Sequence, residues 1–256
     1  MNWARAIILK SPAELEIMRQ AGRINALALQ AVREAIRPGV TTAELDEIAH
    51  AVIRQHGGKP AFIGVPGAYP YPSTLTVSIN DELVHGIPGK RRLQEGDVVS
   101  VDCGTVFEGF VGDSAFTVGV GEISPLAQKL IEVTYRALEI GIEQLRPGRR
   151  VGDVGAAIQE YVEEEGFFLT KEYTGHGVGR SMWEGPQVPN YGIRGRGLPL
   201  RAGMVIALEP MVLVGTEKTK VLADQWTVAS ADGSLTAHVE HTVAITENGP
   251  VILTVP

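Results

Sequence analysis

Helix ends recur in this chain at a fixed interval, and that repetition limits the folds it can adopt. The triplet Arg-Pro-Gly, which ends a helix, occurs at residues 37–39 and again at 146–148. The helix that follows each triplet is predicted to end at a glycine, Gly57 in the first case and Gly166 in the second. The two triplets and the two glycines are separated by the same number of residues, which suggests two related halves.

A strand pattern repeats in the same order. The segments LQEGDVVSVD (93–102) and LRAGMVIALE (200–209) share a leucine, a glycine, a valine, two aliphatic positions and a final carboxylate. The alternative is that Leu-x-x-Gly-x-Val is only a common way for a turn to enter a strand. Because the helix stop, the helix end and the strand pattern recur in the same order in both halves, we favour an internal duplication with a pseudo-twofold axis. We therefore expect a single domain over 1–256, with halves at approximately 11–120 and 121–250.

Capping signals predict two helices in each half. Ser11 with Glu14, and Thr41 with Glu44, have the spacing of capping boxes, and proline follows both Ser11 and Ser124. The predicted helices run from Ser11 to about Ile36, from Thr41 to about Gly57, from Ser124 to the stop at 146–148, and from about Asp153 to Gly166.

Composition favours a cytoplasmic globular protein. Hydrophobic residues make up 44% of the 256, and the formal net charge of -7 argues against a nucleic-acid substrate. The single cysteine, Cys103, fits a reducing compartment. Charges from Arg5 onward interrupt any signal-peptide pattern, and the apolar stretch 202–215 contains Glu209 and is too short to cross a membrane.

Four carboxylates stand in strongly apolar, strand-like surroundings. Asp102 and Glu209 end the two repeated segments, Asp113 lies within GFVGDSAFTVG, and Glu240 lies within TAHVEHTVAI. A buried carboxylate without a partner is costly, and two divalent cations would balance four of them. His176, on a Gly-rich loop, would add an imidazole, and such a donor set suits Mn(II), Fe(II), Co(II) or Zn(II).

Each of these residues also has a simpler interpretation. Any one acid could protect an edge strand, Asp113 could belong to a β-bulge beside Gly112, and a lone loop histidine is usually solvent-exposed. Alternation along the strand turns Cys103 away from Asp102, so we expect the cysteine to lie in the core. The combination of all five residues makes the simpler interpretations weak.

At these residues the chain resembles the type I methionine aminopeptidases of the pita-bread superfamily. The resemblance covers essentially the whole length and includes, in family order, SINDELVHGIPGKRRLQEGDVVSVDCG, GFVGDSAFTVG, TGHGVGR, MVIALEPM and VEHTVAI. It implies an α+β pita-bread fold, with two pseudo-twofold-related halves of antiparallel sheet backed by helices. It also implies two divalent metal ions, with Co, Mn, Fe and Zn left open, on the ligands Asp102, Asp113, His176, Glu209 and Glu240.

The resemblance further implies a role for each ligand. Asp113 and Glu240 would bridge the metals, Asp102 would serve one metal, and His176 with Glu209 the other. Glu209 would carry a proton from the metal-activated water to the leaving amine, and His85 would be the catalytic histidine near the scissile nitrogen. The substrates would be N-termini of nascent polypeptides, with contact to the ribosome left open, and the enzyme would be a monomer without membrane attachment.

The implied methionine pocket contains two departures from the family pattern. The substrate-binding positions are His85, Tyr71, Thr76, Met182, Trp183 and Trp226. Thr76 replaces the cysteine common in bacterial members, and Trp183 stands where members usually have a second histidine, seven residues after His176. The indole N–H of Trp183 could supply a donor to the substrate, or the protein could be a weakly active paralogue.

Two other functions compete with this one. Aminopeptidase P and prolidase resemble the family in fold and ligands, but they usually carry an additional N-terminal domain for which we expect no room here, and DQWTV (224–228) favours the methionine enzymes. A metal-free binding protein on the same fold would have lost ligand residues, whereas all five are present. Residues 176–240 leave little space for the helical insertion of type II enzymes.

Overall fold

The four predicted helices are all present in the protein, whose computed structural model describes residues 7–256. They are α1 (Pro12–Ala35), α2 (Thr42–Gln55), α3 (Pro125–Gln144) and α4 (Val151–Glu164). Ser11 and Thr41 form the predicted capping boxes with Glu14 and Glu44. The charge pattern at Arg5 lies outside the described residues.

The start of α4 differs from the prediction. Asp153 is the third residue of the helix, and its carboxylate accepts a hydrogen bond from the backbone N–H of Arg150 at 2.8 Å. An acid that reaches back to a free N–H at a helix start stabilises the first turn. Asp153 therefore marks the inside of the first turn, and the helix begins two residues before it.

Fifteen strands are found in residues 7–256, and most of them are short. They are β1 (Lys59–Pro60), β2 (Leu75–Ile79), β3 (Glu82–Val84), β4 (Val98–Phe107), β5 (Phe110–Gly119), β6 (Phe168–Leu169), β7 (Gly175–Gly177), β8 (Glu184–Val188), β9 (Val205–Leu208), β10 (Met211–Leu213), β11 (Thr219–Val221), β12 (Val228–Ser230), β13 (Thr236–His238), β14 (Glu240–Thr246) and β15 (Gly249–Ile252).

Nine strands form one antiparallel sheet, which contains strands from both repeated segments. Its main path runs β1-β4-β5-β14-β9-β7-β8, with β2 beside β4 and β15 beside β14. The long strands β4 and β5 pair along their whole length, and β14 lies between β5 and β9. Only β5 and β14 therefore separate the first repeated segment, in β4, from the second, in β9.

Alternation along the strands separates the hydrophobic core from the opposite face. Val99, Val101 and Cys103 of β4 pack in a buried cluster with α1 and α2, so the core position predicted for Cys103 is confirmed. Val243 and Ile245 of β14 pack in a second cluster with α3 and α4. Both helix pairs thus back the sheet, and the polar residues that alternate with these side chains face away from the helices.

The described helices and strands fit the expected α+β class. The division into pseudo-twofold halves at about residue 120 stays a prediction. No helix in the described range is both long and apolar enough to cross a membrane.

Candidate metal centre

The register of three strands places three carboxylates on one face of the sheet. Asp102 of β4 and Glu240 of β14 both lie opposite Ala115 of β5. Paired residues share a face, and so do residues two apart in one strand, which adds Asp113. The methyl group of Ala115 leaves room between the three acids, so the sheet itself brings them together.

A second alanine organises the other side of the site. His176 of β7 lies opposite Ala207 of β9, and Glu209 follows Ala207 by two residues. Thr242 also lies opposite Ala207, and Glu240 precedes Thr242 by two. The neighbouring strands therefore place His176, Glu209 and Glu240 on one face.

The local structure corrects the sequence interpretation of His176, Glu209 and Glu240 and decides between the alternatives for Asp113. His176 lies in the short strand β7 rather than on a loop, because its flanking glycines allow close approach to Ala207 and Gly185. Glu209 follows the last residue of β9, and Glu240 is the first residue of β14 instead of an interior one. The pairing of Asp113 with Gly104 is regular, so Asp113 is not a bulge residue.

His176 is oriented toward the acids. Its Nε2 lies 3.9 Å from Oδ2 of Asp113 and 3.6 Å from Oε1 of Glu209. Its Nδ1 lies 3.0 Å from the carbonyl oxygen of Gly177, to which an Nδ1–H donates. That tautomer leaves the Nε2 lone pair facing the carboxylates, as in a metal-ligating histidine.

Burial shifts the pKa values of all these groups toward their neutral forms. It raises the pKa of Asp113 to about 7. The pKa values of Asp102, Glu209 and Glu240 are raised well above their ordinary values, by burial first and by charge repulsion from Asp113 second. Burial lowers the pKa of His176 to about 4. The described groups of this site therefore supply no positive charge of their own to stabilise the ionised acids.

The donor atoms fit a divalent cation. Oδ1 of Asp102, Oδ1 of Asp113 and Oε1 of Glu240 are buried and have no hydrogen-bond partner among residues 7–256. Two groups of residues bring one donor atom each to within 4.8 Å of one another, namely Asp113, His176 and Glu240, and Glu209, His238 and Glu240. Mixed carboxylate and imidazole donors in a buried site are typical of Zn, Fe, Co and Mn centres.

His85 lies beside these acids in an unusual backbone conformation. It follows strand β3 with φ of 63°, a left-handed value that non-glycine residues adopt rarely and that often marks functional sites. Its ring packs edge-on against Tyr173 and Trp226. Burial lowers the pKa of His85 to about 4, so the imidazole is neutral near pH 7 and can donate or accept one hydrogen bond.

An apolar cavity opens beside the acids. The five predicted ligands line this cavity. So do all the predicted substrate-binding positions, namely His85, Tyr71, Thr76, Met182, Trp183 and Trp226. Phe62 and Val65, which the sequence interpretation missed, complete its apolar wall. Thr76 lies opposite Asp102 in the β2–β4 pair, and Nε1 of Trp226 is buried without a partner in the described structure.

His238 is a third residue that the sequence interpretation missed. It ends β13, two residues before Glu240, and its side chain points to Glu209 and Glu240. A period of two in an extended segment would have placed His238 on the face of Glu240. That signal was available in the motif AHVEH, where alternation links the histidine to the acid.

Comparison with known proteins agrees with the geometry. The family model described as metallopeptidase family M24 matches residues 16–247. The chain is 49% identical over 248 residues to methionine aminopeptidase 1 of Bacillus subtilis, covering 97% of this chain and 99% of that protein. Divalent metal use is a property of the matched metallopeptidase family.

Solved structures resemble the protein over nearly its whole length. A methionine aminopeptidase from Thermotoga maritima superposes with a TM-score of 0.95 at 46% identity, covering 98% of this chain and 100% of that one. A prolidase from Pyrococcus furiosus is more distant, with a TM-score of 0.78 and 25% identity, and the match covers 66% of that chain. These similarities confirm the expected pita-bread fold.

Proposed function

The chain belongs to metallopeptidase family M24 and is a methionine aminopeptidase, and we propose that its buried acids and histidines hold two divalent metal ions for this reaction. One observation carries the assignment of the ligands. Strand register gathers Asp102, Asp113 and Glu240 around Ala115, and one oxygen of each acid has no hydrogen-bond partner among residues 7–256. Buried carboxylates that approach one another in this way need a cation to remain ionised.

The proposed ligands divide between two metal positions. Asp113 and Glu240 would serve both positions, Asp102 would serve one, and His176 with Glu209 would serve the other. When bound, divalent ions supply Lewis acidity that lowers the pKa of water and polarises a carbonyl group. Glu209, whose carboxylate lies at the edge of this group with 13% of its side chain exposed, accepts the proton from the attacking water and delivers it to the leaving amine.

Other residues position the substrate. A neutral His85 forms a hydrogen bond near the scissile nitrogen. Asp102 lies at the side of the cavity next to Thr76, where its negative charge favours a free α-amino group and so restricts cleavage to chain ends. Tyr71, Met182 and Trp226 provide an apolar wall for an unbranched thioether side chain.

Trp183 forms part of the same wall. Its ring lies edge-on to the imidazole of His176, with 6.5 Å between ring centroids. The indole has a single N–H donor, which we assign to the backbone of the substrate near the scissile bond. The alternative is that the enzyme is only weakly active because it has tryptophan in place of histidine. The variant Trp183→His, discussed below, distinguishes these two possibilities.

The natural substrates are proposed to be nascent polypeptides that begin with methionine. We place the reaction in the cytoplasm, at or after the ribosome, and we propose a monomeric enzyme. The net charge of -7 supports a peptide substrate rather than a nucleic acid.

Peptide hydrolysis with defined metal content tests this function. Metal-free protein should regain activity when titrated with Co(II), Mn(II), Fe(II) or Zn(II), and it should release methionine from Met-Ala-Ser but not alanine from Ala-Pro-Ala. Asp113→Asn should lose both activity and bound metal. Asp153→Asn is the matched control, because Asp153 is a buried acid that caps α4 outside the site. Hydrolysis of the proline peptide in preference to the methionine peptide would contradict the proposal.

A further inference from the structure

His238 is held firmly at the edge of the metal centre. Its backbone N–H donates to the hydroxyl of Thr117 at 3.0 Å, and the same hydroxyl donates to the carbonyl oxygen of His238 at 2.6 Å. Strand β10 pairs with it on the other side, where Met211 lies opposite His238. The side chain is 2% exposed, so its position is fixed before any ligand binds.

The imidazole of His238 has a free nitrogen directed at two carboxylates. Nε2 lies 3.4 Å from Oε2 of Glu209 and 3.9 Å from Oε2 of Glu240. Within the described residues, this buried nitrogen has no hydrogen-bond partner. A buried polar atom without a partner is costly in a folded protein, and a missing ion is one of its ordinary explanations.

His176 provides an internal standard for these distances. Its Nε2 lies 3.6 Å from Glu209 and 3.9 Å from Asp113, nearly the same spacing as that of His238 from its two acids. Ligands bonded at about 2.1 Å to one ion in tetrahedral geometry are separated by about 3.4 Å. The two oxygens of Glu209 thus face one imidazole each, Oε1 toward His176 and Oε2 toward His238.

We infer that His238 is a metal ligand, and that it would serve the same divalent-cation position as His176 and Glu209, beside the shared acid Glu240. This inference rests on the proposed metal centre and adds a second imidazole to it. Imidazole donors suit Zn(II), Co(II) and Fe(II), whereas a ligand set of oxygens alone suits Mg(II), Ca(II) and Mn(II). His238 should therefore shift the preference of the centre toward the first group.

Cadmium NMR tests the assignment residue by residue. Protein labelled with ¹⁵N-histidine is stripped of metal and loaded with ¹¹³Cd(II), and one-bond ¹⁵N–¹¹³Cd couplings are recorded. The chain has six histidines, so single His→Gln variants assign each signal. We expect coupling at two imidazoles, with His176→Gln removing one signal and His238→Gln the other.

A matched control lies on the same segment. His241 of β14 bonds Thr254 through Nδ1 at 2.8 Å and lies opposite Leu208, on the other face of the sheet. His241→Gln should keep both couplings. In addition, His238→Gln should weaken Zn(II) binding relative to Mn(II) by at least tenfold in titrations of metal-free protein, whereas His241→Gln should leave the ratio unchanged.

The spectrum of the unsubstituted protein already decides the question. Coupling at His176 alone, in a protein that binds cadmium and whose cobalt form hydrolyses Met-Ala-Ser, would overturn the role of His238 and leave the proposed function intact. Failure to bind metal or to hydrolyse the methionine peptide would instead contradict the proposed function itself.

Discussion

Removing the charge of Asp113 should stabilise the metal-free protein. Burial raises the pKa of this carboxyl from 3.8 to about 7, while the unfolded chain keeps the ordinary value. An acid whose pKa is higher in the folded state causes no loss of stability below pH 3.8, a growing loss up to about pH 7, and the full loss above it. A difference of about three in pKa corresponds to about 4 kcal/mol.

Asp113→Asn keeps the size of the side chain and removes its charge. In EDTA at pH 8, the free energy of unfolding should rise by up to about 4 kcal/mol, because the full cost of ionisation is relieved. At pH 5 the gain should fall to less than half of that value, since the pH is then only about one above the ordinary pKa. Urea denaturation followed by circular dichroism at both pH values measures this difference.

Saturating metal should reverse the order of stability. The unsubstituted protein gains binding free energy from an ion that its unfolded chain does not hold, while the variant has lost a ligand. The same denaturation series with Co(II) in place of EDTA should therefore find Asp113→Asn the less stable protein. The reversal distinguishes a metal site from a group of acids that is merely poorly packed.

Asp153 supplies the control for buried aspartates in general. Its pKa is lowered by backbone hydrogen bonds from Gly195 and Arg150, so it is ionised at both pH 5 and pH 8. Asp153→Asn should lower the free energy of unfolding at both pH values, with or without metal. If Asp113→Asn in EDTA is no more stable than the unsubstituted protein at pH 8, or if its gain does not shrink at pH 5, the reasoning is wrong.

Three further predictions concern the reaction. Glu240→Ala should abolish hydrolysis of Met-Ala-Ser and reduce bound metal measured by atomic absorption, because Glu240 belongs to both groups of donor atoms; full activity with full metal content would refute this. His85→Ala should retain the metals and lower kcat by about 10² to 10⁴, whereas Glu209→Gln should lower both metal content and rate, and the opposite pattern would mean that the two roles are exchanged. Trp183→His should raise kcat/KM on methionine peptides by on the order of a hundredfold at unchanged metal content; an equal or lower rate would mean that tryptophan is adapted to this site.

Local chemistry explains why much of the fold could be predicted. Capping pairs such as Ser11 with Glu14 set helix starts within a few residues, and alternation along β4 separated Cys103 in the core from Asp102 on the opposite face. The start of α4 was displaced because an acid at the third helical position resembles one at the cap. Such errors are small because each signal acts over one turn or one strand.

Long-range pairing explains what could not be predicted from the residues themselves. Nothing local to β14 indicates that it lies between β5 and β9, yet that order is what brings Glu240 to Asp113 on one side and to Glu209 on the other. The family resemblance supplied this arrangement for five ligands. It supplied nothing for His238, which alternation in AHVEH links to Glu240 but which only the folded arrangement of β13 directs at Glu209.

The pairing register of β14 that brings the acids together also lowers the stability of the metal-free protein. A shift of one residue between β5 and β14 would turn Glu240 away from Asp113, but it would also turn Val243 and Ile245 out of the core. The packing of β14 therefore fixes the acids close together, where either protonation or a bound cation relieves their mutual repulsion. Metal binding to such a site contributes directly to the free energy of folding. Substitutions along β14 that disturb the pairing should therefore change metal affinity and stability together. Val243→Ala, which removes core contacts without touching a ligand, should thus weaken metal binding as well as stability, and unchanged cobalt affinity in that variant would show that the ligands are positioned independently of the core.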